Sequence, residues 1–169
     1  MRLVELDSIA DSDWQQVIAG EPKPWGDVGE ELQWREKTYN IGLRDDAGSL
    51  VALAGLLLAE VRVGDTPFQV VGIGNVIVTR SARGSGFARV LIERLLQIAP
   101  TLGAERAMLF CLPANVGLYT KFGFQLIEGP VWAAQPGGLI EIPMRAMWKP
   151  LAPAASWPEG RIELLGEPF

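Results

Sequence analysis

Histidine is absent from the 169 residues, and cysteine occurs once. Ser-His-Asp and Cys-His catalysis are therefore excluded, as are histidine-based zinc sites, and one thiol cannot build a metal cluster. No metal is expected. Cys111 lies in the apolar run 107–112, so no internal disulfide can form, and without an imidazole to activate it the thiol reads as a small buried hydrophobe. No apolar run approaches the ~18–20 residues needed to span a bilayer. The opening Met1-Arg2-Leu3-Val4-Glu5-Leu6-Asp7 has acidic residues where a secretory signal needs a continuous apolar core. A cytoplasmic protein with no membrane partner is expected. The net charge of −5 argues against a nucleic-acid surface and modestly favours cationic partners, although solubility alone explains mild acidity equally well.

What is present is globular: 49% of residues are hydrophobic and 21% charged, enough for one domain with a sizeable core. Residues 1–150 are read as that domain and residues 151–169 as a carboxyl-terminal arm packed on it. Residues 8–20 predict a helix with Ser8 or Asp11 as N-cap and Gly20 at its stop. Residues 21–27 contain Pro22 and Pro24 and cannot continue it, and residues 28–37 predict a short second helix. This region, with Trp25 and Trp34, reads either as a lid over a substrate or as a surface connection pinned by its tryptophans. Strands are expected at 38–44, 49–63 and 68–79, separated by turns at Asp45-Asp46-Ala47-Gly48 and Gly64-Asp65-Thr66-Pro67. Gly55, Gly72 and Gly74 interrupt the last two, which marks a bulge or a close backbone approach. Further on come a helix to about Pro100, a buried strand at 106–112, a helix at 113–122 and a strand from Phe124. A Gly/Pro-rich connection at 129–139 leads to a closing strand at 140–148, and 161–165 forms a last edge strand. An edge strand there and six tryptophans leave room for a homodimer. The class is α+β, with a βαβ crossover placing 106–112 parallel to 68–79.

The most informative stretch is Arg80-Ser81-Ala82-Arg83-Gly84-Ser85-Gly86-Phe87-Ala88, between a β-branched strand and an amphipathic helix. Glycines let successive N–H groups converge, the helix start adds its positive dipole end, and Arg83 and Arg89 add charge, so the stretch can cradle an anion such as a pyrophosphate. It has neither the third glycine of a dinucleotide fingerprint nor a Gly-Lys-Ser/Thr phosphate loop. The plainer alternative is an ordinary turn with solvated arginines.

Arg83-Gly84-Ser85-Gly86-Phe87-Ala88, read as Arg-x-x-Gly-x-Ala, resembles the acyl-CoA-binding motif of the GCN5-related N-acetyltransferase (GNAT) family. A second signature, Asn115-Val116-Gly117-Leu118-Tyr119-Thr120-Lys121-Phe122-Gly123-Phe124, is similar to the family's segment whose tyrosine faces the cofactor sulfur. The resemblance covers roughly residues 68–128. It implies a mixed, mostly antiparallel sheet of six to seven strands with a parallel central pair and flanking helices. It also implies acetyl-CoA-dependent transfer to an amine, with the pyrophosphate on backbone N–H groups of Arg83, Gly84, Ser85, Gly86, Phe87 and Ala88. Val76, Ile77 and Val78 would bond pantetheine through their main chain. Within the family the chain looks most like the aminoglycoside 2′-N-acetyltransferases, through Leu50-Val51-Ala52, the 119–124 run and the Trp157-containing arm, which implies a small cationic acceptor. Glu30 and Glu31, just ahead of Trp34, sit where that group carries substrate-facing acids.

Tyr119 is the candidate general acid for the departing thiolate, unless its ring only packs. Asn115 could hydrogen-bond pantetheine or cap its helix. The base is open: where the aminoglycoside group has a glutamate this chain has Gly74 and then Asn75. Glu60, Glu141 or the carboxylate of Phe169 could act through a water positioned by Asn75, or a substrate amine of lowered pKa could need no base. The rival functions are an acyl-CoA-binding sensor without catalysis and an acetyltransferase for peptide or protein amines.

Overall fold

The computed structural model describes residues 1–169 except 22, 24–26, 29 and 30. One ten-stranded sheet organises the chain, around its two longest strands, β3 (Leu50–Val63) and β4 (Thr66–Val78), which pair antiparallel. Both faces of β3 are covered. Ala52, Ala54 and Leu56 face one core cluster while Leu53, Leu57, Ala59, Val61 and Val63 face two others, which is why the strand reads as a nearly unbroken apolar run.

On one flank β2 (Tyr39–Arg44) pairs with β3, and β1 (Arg2–Leu6) pairs with β2. On the other, β5 (Arg106–Cys111) runs parallel to β4, followed by β9 (Arg145–Pro150) and the two-residue β6 (Gln125–Leu126). Helix α2 (Phe87–Ile98) makes the crossover from β4 to β5. It buries Leu91, Ile92 and Leu95 on the sheet, each contributing about 2 kcal/mol, and turns Arg89 and Glu93 outward as an i,i+4 pair. Helix α3 (Val116–Thr120) is shorter than expected because Pro113–Asn115 forms a 3-10 turn ahead of it.

Several expectations are corrected. The first helix, α1 (Asp11–Ile18), has Ala10 at its N-cap with no side-chain cap, and Ala19 in the left-handed region at its end, so Ser8, Asp11 and Gly20 do not play the expected roles. Residues 31–37 are not helical. Their hydrogen bonds go to distant chain instead: the N–H of Gln33 donates to Gln135 Oε1 and that of Arg35 to the Pro168 carbonyl. The segment expected as a connection at 129–139 carries a hairpin, β7 (Val131–Gln135) and β8 (Gly138–Glu141), and so the expected closing strand begins only at Arg145. The last strand, β10 (Ile162–Leu164), is no edge. It lies between β3, antiparallel, and β7, parallel, and Phe169 beyond it is buried. The room for a dimer through that edge is therefore closed. No described helix is long and apolar enough to cross a membrane.

Candidate functional site

The parallel pairing of β4 with β5 is brief, joining Val71–Ile73 to Ala107–Leu109. Past that point the strands separate, and the backbone groups of β4 on the β5 side lose their strand partner. A bulge sharpens the break. Gly74 stands opposite Gly55 and Ile77 opposite Leu53, so Asn75 and Val76 together face Ala54, and Asn75 takes φ 54°. Asparagine tolerates that left-handed conformation better than most side chains, and a bulge re-aims the groups around it. The gap is a cavity of about 280 Å³, walled by residues 73–77 on one side and Phe110, Cys111 and Leu112 on the other, with Asn115 and Tyr119 beside them. Trp14, Val28, Trp34, Met144 and Phe169 line it as well. Val78 continues the strand just beyond this lining.

At the strand's end Arg80–Ala82 makes a 3-10 turn, and Gly84 and Gly86 adopt φ 83° and 80°. Only glycine takes those angles cheaply. The first hydrogen bond closing α2 runs from the Val90 N–H to the Gly86 carbonyl, so the N–H groups of Phe87, Ala88 and Arg89 at the positive end of the helix are left for a ligand. A Cβ placed on Gly84 or Gly86 would meet nothing within 4 Å, so the cradle is open. The two arginines do not stand free as expected. Arg83 donates to the Val78 carbonyl and forms an ion pair with Glu21, and Arg89 pairs with Glu93 at 2.8 Å. The cradle's anion-binding capacity therefore rests on its backbone, with Arg83 held at its rim.

Tyr119 is buried, packs edge-to-face on Phe124 at 6.1 Å between centroids, and lines the cavity. Burial, with a lesser contribution from Cys111, holds its phenol well above the usual tyrosine range. It is thus a lasting hydrogen-bond donor, and full proton release is more uphill than an ordinary phenol would give. Cys111 is buried against Met147 Sδ at 3.9 Å, and burial pushes its thiol up to about 11, which keeps it protonated and unreactive. Asn115 forms no side-chain cap and lines the cavity with its amide available.

The other candidate residues are not all gathered here. Glu60 is exposed on β3, five residues from Gly55 and so about 17 Å along the strand. Glu141 lies on β8 and lines a different cavity, beside Leu126 and Ala146. Glu31 is exposed and outside the lining, and Glu30 lies outside the described residues, as does Trp25. Trp34 and Phe169 are in place, Trp34 half-buried in the wall. The described lining thus contains no aspartate or glutamate. Among the described residues no group of three or more metal-ligating side chains occurs.

The sequence reading missed Lys37. It is 8% exposed, makes no ion pair among the described residues, and donates from Nζ to the Arg35 carbonyl at 3.0 Å. Its side chain crosses the sheet through the space left by two facing glycines. A Cβ on Gly55 would lie 2.7 Å from Lys37 Cβ, and one on Gly74 would lie 2.5 Å from its Cε and 3.1 Å from its Nζ. Burial foremost, then the charge of Arg35, lowers its amine from 10.5 to about 8. The signal was present in Gly55 and Gly74, but nothing in the sequence says that they stand opposite each other.

A mixed sheet split at a parallel pair, with an open helix start at one end of the split and a buried tyrosine beside it, defines an acyl-transfer architecture. The Acetyltransferase (GNAT) family profile matches residues 4–124, and the chain belongs to that family. A stretch of 80 residues is 31% identical to glucosamine 6-phosphate N-acetyltransferase 1 of Oryza sativa subsp. japonica, covering 47% of this chain and 48% of that protein, so the match spans about half the length of the curated relative. Among solved structures, the GNAT family N-acetyltransferase YhbS of Escherichia coli, in complex with CoA, superposes with a TM-score of 0.63 at 22% identity, over 96% of this chain and 89% of that one. N-acetylglutamate synthase from Neisseria gonorrhoeae, complexed with coenzyme A and N-acetyl-glutamate, gives 0.58 at 15% identity, over 90% of this chain and 36% of that one. At these identities the likeness is one of fold.

Proposed function

We propose that the protein transfers an acetyl group from acetyl-CoA directly to the primary amine of a small acceptor bound beside it. The observation that carries this reading is the separation of β4 from β5 after Ile73 and Leu109, which opens a cavity between residues 73–77 and Tyr119 on the strand that leads to the free N–H groups of α2. The residues fit an acyl-CoA. Phe87, Ala88 and Arg89 would hold the pyrophosphate through backbone N–H groups, and the backbone of Val76, Ile77 and Val78 on the side away from β3 would hold the pantetheine amides, with the Val78 carbonyl shared with Arg83. Asn115 would add its amide. Acetyl-CoA supplies an activated acetyl group as a thioester. The Tyr119 phenol, kept protonated, would donate a hydrogen bond to the sulfur that departs.

The acceptor end of the cavity is apolar and aromatic. A cationic, aminoglycoside-like acceptor would need acidic partners, and the described lining offers no acidic side chain. The walls formed by Trp14, Trp34, Met144 and Phe169 instead support an amine carried on an apolar body. The absence of a side-chain carboxylate from this lining also favours a second reading, an acyl-CoA-binding sensor that does not turn over.

One experiment separates these. CoA release is measured from acetyl-CoA over a panel including 2-phenylethylamine, glucosamine 6-phosphate, an aminoglycoside and a lysine peptide, with products read by mass. Turnover highest on 2-phenylethylamine supports the proposal, turnover on the aminoglycoside or peptide reassigns the acceptor, and CoA binding without turnover supports the sensor.

A further inference from the structure

We propose that Lys37 is the proton acceptor of this site, taking a proton from the acceptor's ammonium through one water at Gly74 and returning it to solvent. This rests on the reading of the cavity as an amine acetylation site. In that step one N–H bond of the acceptor's ammonium breaks and one N–H bond forms on neutral Lys37, which later releases the same proton to bulk water.

Gly74 is part of the cavity wall and presents no side chain to it. The position its Cβ would take lies 2.5 Å from Lys37 Cε and 3.1 Å from its Nζ, so the end of the lysine packs against a residue of the wall without itself lining the cavity. Gly55 on the neighbouring strand clears the path for the rest of the lysine stem, since a Cβ there would lie 2.7 Å from Lys37 Cβ. Two facing glycines in strands are costly to keep, and here both make room for one side chain. Burial of a lysine without a carboxylate partner is costly as well.

The groups that face Lys37 agree with this role. From its own segment Arg35 supplies the accepting carbonyl, and its guanidinium donates to the Leu58 carbonyl. From β2, Asn40 donates through Nδ2 to the Lys37 carbonyl, while its Oδ1 is a buried acceptor without a partner, placed 2.7 Å from the same Cβ position on Gly55. From β3 and β4 come Gly55 and Gly74. From the far side comes Phe169, whose backbone carbonyl carbon lies 3.2 Å from the Gly74 Cβ position. The lowered amine, at about 8, is neutral in a useful fraction near physiological pH, as a base for an ammonium requires.

The test has two arms. In the wild-type protein the 13Cε resonance of Lys37, assigned by its loss in Lys37→Arg, is titrated with pH. A midpoint near 8 is expected, and a midpoint at the ordinary 10.5 overturns the proposal. In the second arm, turnover of 2-phenylethylamine with acetyl-CoA is followed against pH for wild type, Lys37→Met and Lys37→Arg. Both variants are expected to keep CoA affinity, to lose ~10²-fold in kcat and to lose the rise in rate through pH 8. Lys37→Arg keeps the positive charge, so an unchanged kcat and pH profile in that variant overturns the relay and leaves only a cation. If wild type releases no CoA with any amine, the acetylation reading itself fails and the relay falls with it. If wild type turns over and both variants match it, the relay alone fails.

Discussion

Gly55 and Gly74 stand opposite each other on β3 and β4, and the stem of Lys37 lies across both. The pair forms a groove through which a lysine from the segment before β2 reaches the wall of the cavity. Alanine at position 55 would meet Lys37 Cβ and Cγ at 2.7 and 2.8 Å, near the fixed end of that side chain, whereas alanine at 74 would meet its flexible far end. Gly55→Ala should therefore destabilise by ~1–3 kcal/mol as an overpacked core position. Gly74→Ala should cost less in stability than Gly55→Ala while displacing the amine. Thermal unfolding of the two variants, set beside their rates, checks the contrast.

Gly72 meets a different neighbour. A Cβ there would lie 2.6 Å from the ring of Phe169, which is buried and packs on Phe110 at 5.4 Å between centroids. A ring wedged in a core gives way less readily than a lysine tip. Gly72→Ala is expected to lower stability by ~1–3 kcal/mol, or roughly 2–4 °C in Tm per kcal/mol, and Phe169→Ala by ~3–5 kcal/mol. Calorimetry on the single variants measures both.

The pH dependence of stability follows from Lys37 with a definite sign. Its folded-state amine is lowered to about 8 from 10.5, so between those values the unfolded chain binds more protons than the folded one. The cost of burying the charge is fully present below pH 8 and is relieved as pH rises toward 10.5. Lys37→Met should remove that rise and be more stable than wild type below pH 8, by an amount on the order of 3 kcal/mol at most. Urea midpoints between pH 7 and 10 report the slope.

The cradle gives a prediction with its own control. Gly84, Gly86 and Gly103 share nearly the same positive φ, 83°, 80° and 83°, and a Cβ on any of them finds open space. Alanine at each should cost about 1 kcal/mol of stability through backbone strain. Only the substitutions at 84 and 86 should also weaken CoA binding, by tenfold or more, because Gly103 lies beyond the other end of α2. Isothermal titration with CoA separates strain from binding. Glu21→Gln, which releases Arg83 at the rim, should strengthen CoA binding severalfold, and more at low salt.

Much of this was legible in the chain. The strand ending at Val78, the glycine turn and the periodic helix at 87–98 give the cradle directly, because a 2-residue period switches to a 3.6-residue period across Arg80–Gly86. The bulge signalled by Gly55, Gly72 and Gly74 is present, and Asn75 beside Gly74 carries it. What stayed hidden depends on register between distant segments. β7 is held by β8 and by β10 from the chain's end rather than by its own weak pattern, and residues 31–37 spend their N–H groups on Gln135 and Pro168. Lys37 belongs to this second kind, since its role depends on glycines 19 residues apart meeting across a bulge.

The claim on which the rest depends is that CoA lies in the slot with its pyrophosphate on the start of α2. Amide NMR spectra recorded while CoA is added test it most directly. The largest shifts are expected at Gly84 to Arg89 and at Val76 to Val78, saturating together at one CoA per chain. Unmoved amides there, with shifts instead around Leu126, Glu141 and Ala146 at the other cavity, would contradict it.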